Sequence, residues 1–175
     1  MSDLTELEGA ALSLISRSQP MTTYAVRSVF QQSLTNSWSA SAGSIYPLVR
    51  KLLRANLLSE TQQKGDGRGT KMLSITRSGK TALRDWVRAT DANVIDPVAD
   101  PIRTRSHYLD SLPSREQKRL VTEWQRLSRN VIAQIKVSIE QGQKSGDRLE
   151  VRALRASQLQ MEARLTWLSE LEKEL

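Results

Sequence analysis

The sequence predicts a mainly α-helical protein with one small β-hairpin: an N-terminal helix–helix–helix–hairpin–helix unit, then an antiparallel pair of long helices. Three observations predict it. Apolar residues recur at helical spacing through most of the 175-residue chain. That period lapses between residues 57 and 75, where two short runs flank a loop of alternating glycines. Beyond residue 100 the helical pattern returns and breaks near Gln141-Gly142 and Ser145-Gly146-Asp147.

The elements follow in order. Leu4, Leu7, Ala11, Leu14 and Ile15 mark a first amphipathic helix, with Asp3 placed to cap it and Glu6 to complete a capping box. Ser18-Gln19-Pro20 ends it. A second helix is expected from about Thr23 to Leu34, burying Tyr24, Ala25, Val29 and Phe30, and Thr35-Asn36-Ser37 is turn material. Ser41 is expected to cap a third helix that turns Ile45, Leu48, Val49, Leu52 and Leu53 inward. Pro47 falls beyond the first turn of such a helix, so it implies either a bend or a later start. Asn56 sits at the helix end, where it tolerates a left-handed turn.

Leu57–Thr61 and Thr70–Ile75 read as strands joined by the polar loop 62–69, and Thr76 caps a fourth helix through Leu83, Trp86 and Val87. This order is that of a winged helix-turn-helix, whose third helix enters the major groove while the hairpin tip reaches the flanking backbone. The expected organisation is therefore a DNA-binding unit over residues 1–88, a connector over 89–99, and a helical dimerisation unit over 100–175. In the last, a segment over about 101–111 stops before Pro113, and Ser114 with Gln117 offers a capping box for a helix presenting Leu120, Trp124, Leu127, Val131 and Ile135. The final helix, about Asp147 to Glu174, aligns Leu154, Met161, Leu165, Leu168 and Leu171. A lone helix pair covers its apolar stripes only in part, so a second copy of the same pair is the expected cover.

Charge supports a polyanionic partner. The net charge is +7, and residues 40–88 hold ten Lys or Arg against three acids, whereas residues 91–175 hold fourteen against thirteen. On the third helix Ser44 and Arg50 are candidates for base edges, and Lys51 and Arg54 for phosphates; Ser41 belongs to the same approach. Tyr46 either reaches a phosphate or tucks into the core. Lys64, Arg68 and Lys71, flanking Gly65, Gly67 and Gly69, suit a wing tip on DNA phosphates. That loop lacks the Lys-Ser/Thr ending of a nucleotide-binding P-loop and has no βαβ setting.

Catalysis is not expected. His107 is the sole histidine and cysteine is absent, so no His–Cys pair and no multi-His metal site forms within one chain, and no cofactor is called for. His107 reads as a packing or surface residue. Trp124 and Trp167 read as core or interface filling, the alternative being an effector pocket that Tyr108 would join. No stretch approaches the roughly 20 apolar residues of a membrane span, the start lacks a secretion signal, and the cytoplasm is the expected location.

Gly43-Ser44-Ile45-Tyr46-Pro47-Leu48-Val49-Arg50-Lys51-Leu52 resembles the recognition helix of the PadR family of bacterial transcriptional regulators. Leu57-Leu58, Gly67-Arg68, Lys71, Ile75-Thr76 with Gly79, Tyr24, and Asp100-Pro101-Ile102-Arg103 extend the resemblance, the last to the longer subfamily with a helical C-terminal domain. Asn56 departs from that family's usual glycine, and Thr70 and Met72-Leu73 from its usual basic and tyrosine residues in the wing. The resemblance implies a dimer through the C-terminal helices, a repressor, and release by a small aromatic or amphipathic compound. The expected function is a sequence-specific regulator of transcription bound to palindromic double-stranded DNA; a winged-helix module that binds another protein is the alternative.

Overall fold

The chain forms two compact units, Met1–Asp96 and Pro97–Leu175. The structure is a computed structural model and describes residues 4–33, 41–63, 69–90 and 99–175. In the first unit, α1 (Glu6–Ser18) opens on a capping box, but two residues later than the sequence suggests. Thr5 takes the cap position: its hydroxyl accepts the Glu8 amide at 3.3 Å, and the Glu8 carboxylate accepts the Thr5 amide at 2.9 Å. Ala11, Leu12 and Ile15 are fully buried.

Helix α2 (Thr23–Gln31) is capped by Thr22, whose hydroxyl accepts the Ala25 amide. Its buried pair is Val26 and Phe30, one turn apart; Tyr24 and Val29, expected inside, are 66% and 49% exposed. The Val26–Phe30 axis faces the core, and on a 3.6-residue period that turns Tyr24 to the opposite side.

A 3-10 turn over Ser41–Ser44 precedes α3 (Ile45–Arg54). The α-helix thus starts three residues later than a Ser41 cap would place it, with Ser44 at the cap position. The late start accommodates Pro47, which falls in the first turn, where its missing N–H leaves no helical hydrogen bond unmade. Ile45, Leu48, Val49 and Leu52 are buried as expected. Asn56 has φ +56°, and the Asn56 and Leu57 amides return to the carbonyls of Leu53 and Leu52, closing the helix with a left-handed turn.

Strands β1 (Leu58–Gln63) and β2 (Thr70–Ile75) pair antiparallel, from Leu58 opposite Ile75 to Gln63 opposite Thr70. The ladder runs two residues beyond Thr61, into the expected loop. Met21 adds a third backbone segment by exchanging both hydrogen bonds with Leu73, a contact the sequence does not announce. Leu58, Leu73 and Ile75 join the core of α1, α2 and α3. Helix α4 (Arg77–Val87) starts on the Thr76 hydroxyl, which accepts the Gly79 amide; a Cβ at Gly79 would run into the Leu57 carbonyl. Trp86 is half-buried and lies across Gly9 of α1, where a Cβ would overlap its ring, whereas Val87, expected inside, is exposed.

In the second unit α5 (Pro101–Ser106) is capped by Asp100, and a 3-10 turn covers Leu109–Ser111, so the segment expected as one helix is two. Helix α6 (Ser114–Ser145) has Pro113, not Ser114, at its cap, and Gln117 reaches back to the Leu112 carbonyl at 2.7 Å. Gly142 does not break α6; its missing Cβ admits Val151. The break is Gly146, at φ +76°, followed by α7 (Arg148–Glu174) with Asp147 capping Glu150. Leu109, Val121, Trp124 and Leu168 form the core here, and Ile102, Leu120, Trp167, Leu171 and Leu175 pack on it. Leu127, expected inside, is 46% exposed. Asp100 also accepts from Arg164 Nη2 at 2.7 Å and Nε at 2.9 Å, fastening α5 to α7.

Two outcomes follow from these contacts. Gly9→Ala should lower the stability of the first unit by about 1–3 kcal/mol, read as a lower urea midpoint; an unchanged midpoint would mean that Trp86 moves aside freely. Burial pushes the Asp100 carboxyl up, but the Ile102 amide, Arg164 and the Arg103 amide outweigh it and hold the group below its ordinary value. Its stabilising contribution is therefore complete above the unfolded carboxylate value and is lost as pH falls through the lower folded one. Asp100→Asn keeps the cap and removes the charge, so its stability deficit should shrink on acidification in denaturation series from pH 7 to pH 3.

Candidate nucleic-acid interface

The outward face of α3 is set by what its inward face buries. With Ile45, Leu48, Val49 and Leu52 in the core, the helical period turns Ser44, Tyr46, Pro47, Arg50, Lys51 and Arg54 to solvent, and all six are exposed. Tyr46 does not tuck into the core: the residue is 44% exposed. Arg54 Nε donates to the Arg50 carbonyl at 3.4 Å, which lays its guanidinium back along the helix. Among the described residues no carboxylate pairs with Arg50 or Arg54. Lys64 and Arg68 lie outside the described residues, as does the side chain of Ser41.

Lys51 and Lys71, expected on phosphates, each have a carboxylate within the protein. Lys71 Nζ is 2.7 Å from Glu60 Oε2 across the hairpin, a diagonal pair two rungs apart on one face. Lys51 Nζ is 2.6 Å from Glu8 Oε1. Burial pushes the Glu8 carboxyl up, yet Lys51 and the Thr5 amide outweigh it, and the group sits below the ordinary carboxylate value. Sequence reasoning assigned neither acid. The hairpin register brings Glu60 and Lys71 together and was within reach; Glu8 meets Lys51 only through tertiary packing.

Tyr24, expected inside and also part of the family resemblance, stands exposed in the first turn of α2. His107 is exposed just past α5. Trp124 is buried in the core of the second unit with Trp167 packed on it, while Tyr108 is 71% exposed. A cavity of about 490 Å³ opens at the α6–α7 turn, among Gly142, Gln143, Gly146, Arg148, Val151, Arg152 and Arg155. Among the described residues no group of His, Cys, Asp and Glu could hold a metal ion, and no helix is long and apolar enough to cross a membrane.

Residues 11–85 match the model of the transcriptional regulator PadR-like family. The chain is 28% identical over 111 residues to the negative transcriptional regulator PadR of Bacillus subtilis, an alignment covering 63% of this chain and 60% of that protein. Its fold is similar to B. subtilis PadR in complex with operator DNA, with TM-score 0.82 and 24% identity over 98% of this chain and 99% of the other. It is also similar to the same protein in complex with p-coumaric acid, with TM-score 0.75 and 23% identity over 95% and 93%. These likenesses extend the shared fold past the winged helix into the C-terminal helices. Over residues 11–85, which carry the winged helix, the chain is similar to the PadR-like family of transcriptional regulators.

Proposed function

We propose that the protein is a dimeric, sequence-specific double-stranded DNA-binding regulator, most simply a repressor, with no enzymatic activity and a place in the cytoplasm. The observation that carries the reading is the outward face of α3, where Ser44, Tyr46, Arg50 and Arg54 are exposed on a helix whose other side is locked into the core. Ser44 and Arg50 read base edges; Arg54 and the Tyr46 hydroxyl meet phosphate. Ser41 assists at the approach to the helix, and Lys64, Arg68 and Lys71 serve the wing. The division of labour is then residues 1–88 for DNA, 89–99 as connector and 100–175 for self-association.

Self-association has its own support. Leu127 and Val137 on α6, and Leu149 and Leu159 on α7, remain about half exposed. Apolar surface of that extent on a two-helix unit suits a second copy of the same pair. Two copies then match a palindromic site. The negative regulation named for the B. subtilis relative supports repression, and the complex with p-coumaric acid supports release by a small aromatic acid. Tyr108 and Trp167 stay candidates for that ligand; Trp124, buried at 8% exposure, would line its floor at most.

The full chain should retard random duplex at low salt and its own promoter at higher salt. Arg50→Ala should cost about 1–3 kcal/mol on the preferred site and relax sequence preference. Arg54→Ala should weaken all duplexes alike and flatten the slope of log affinity against log salt by about 0.9. Failure to retard any duplex at low salt would favour a protein-binding module. For the dimer, Leu127→Glu with Leu159→Glu should shift sedimentation from dimer to monomer; a wild-type monomer at micromolar concentration would overturn that part.

A further inference from the structure

Lys51 lies beside Arg50 on the exposed side of α3, a position from which a cation is expected to meet phosphate. Its ammonium is instead 2.6 Å from Glu8 Oε1, and the two partners are unequally placed. The Lys51 side chain is 62% exposed and the Glu8 side chain 5%. Glu8 is also held by its second oxygen, which accepts the Thr5 amide at 2.9 Å. The carboxylate is therefore fixed to the first turn of α1 and cannot follow Lys51 outward. Withdrawing Lys51 would leave that carboxylate without a cation, with the Thr5 amide still on its second oxygen. A buried charge stripped of its partner costs far more than an exposed lysine–phosphate contact in salt returns.

From this asymmetry we propose that Glu8 is a positioning residue that stands in for a DNA phosphate and keeps Lys51 out of the phosphate contacts. Lys51 then ties α3 to α1, and α3 meets the backbone through its arginines. The proposal rests on the DNA-binding reading above. The pair between Lys71 and Glu60 supplies the contrast, since Glu60 is 30% exposed and stays solvated when Lys71 leaves it for phosphate.

The test is a cycle on the salt slope, not on affinity alone. Anisotropy of a labelled random duplex is followed against potassium chloride for the full chain, Lys51→Met, Glu8→Gln and the double variant. With Glu8 present, Lys51→Met should leave the slope in place. Glu8→Gln should steepen it by about 0.9, one added phosphate, and Lys51→Met should remove that gain. Lys71→Met should flatten the slope in either background. A slope flattened by Lys51→Met with Glu8 present, or a Lys51→Met effect that is the same in both backgrounds, would overturn the proposal. Glutamine serves in a capping box, so α1 should keep its start; if Glu8→Gln fails to fold by circular dichroism, the Lys51→Met result with native Glu8 still decides. Absence of duplex binding by the wild type would instead sink the DNA-binding reading, and this proposal with it.

Discussion

The burial of one face of α3 is the constraint from which the rest of the first unit follows. Four aliphatic side chains, Ile45, Leu48, Val49 and Leu52, are in the core, and each is worth about 1.5–3 kcal/mol relative to exposure. That burial fixes the rotation of the helix about its axis. A rotation of one residue, about 100°, would bring Arg50 toward the interior and expose an isoleucine. Helix α1, the Val26–Phe30 pair, and the Met21, Leu58 and Leu73 layer supply the socket. The hairpin, in turn, is held at its base by Gly79, whose place only a residue without a Cβ can take, under the Leu57 carbonyl. The polar face is thus aimed by apolar contacts that never touch a ligand.

Much of this is legible in the residues, and the misses share a cause. The element order and the inward stripe of α3 follow from period alone, and the left-handed Asn56 from its place at the helix end. The caps were misplaced at Asp3, Ser41 and Ser114 because Ser, Thr and Asp are dense at these starts; spacing alone leaves the choice open. Proline was the better guide: Pro47 and Pro113 each mark where the first turn must lie. Tyr24, Val29, Val87 and Leu127 were expected inside and are exposed. Tyr24 faces away from the Val26–Phe30 axis, and the other three lie at the margin of an apolar stripe, where the period cannot say which side the neighbouring element covers.

The second unit shows what a helix pair can and cannot do alone. Gly146 turns the chain, Asp147 restarts it, and Gly142 lets the two helices close up against Val151. At the other end the Asp100–Arg164 pair and the Trp124–Leu168 core hold α5 onto the pair. Between these ends Gln125 donates to the Leu168 carbonyl and to Glu172, and accepts from Arg129, so the interior is partly polar. A buried amide satisfied on both sides sets the register of the two helices more sharply than another leucine would. What it does not do is cover Leu127, Val137, Leu149 and Leu159. Register comes from within the pair, and the remaining apolar surface is left for something else.

Charge is where sequence counting and structure part company most instructively. Ten bases against three acids over residues 40–88 describes a segment, whereas a polyanion meets a surface. Glu8 lies outside that window yet sits against Lys51, and Glu60, inside it, sits against Lys71. The two pairs are equal in a tally and unequal in physics. Water and salt compete for Glu60, so its lysine is lent; burial removes that competition for Glu8, so its lysine is kept. The cations that such a helix can offer a phosphate are those whose nearest acid is solvated or absent, and on α3 that leaves Arg50 and Arg54.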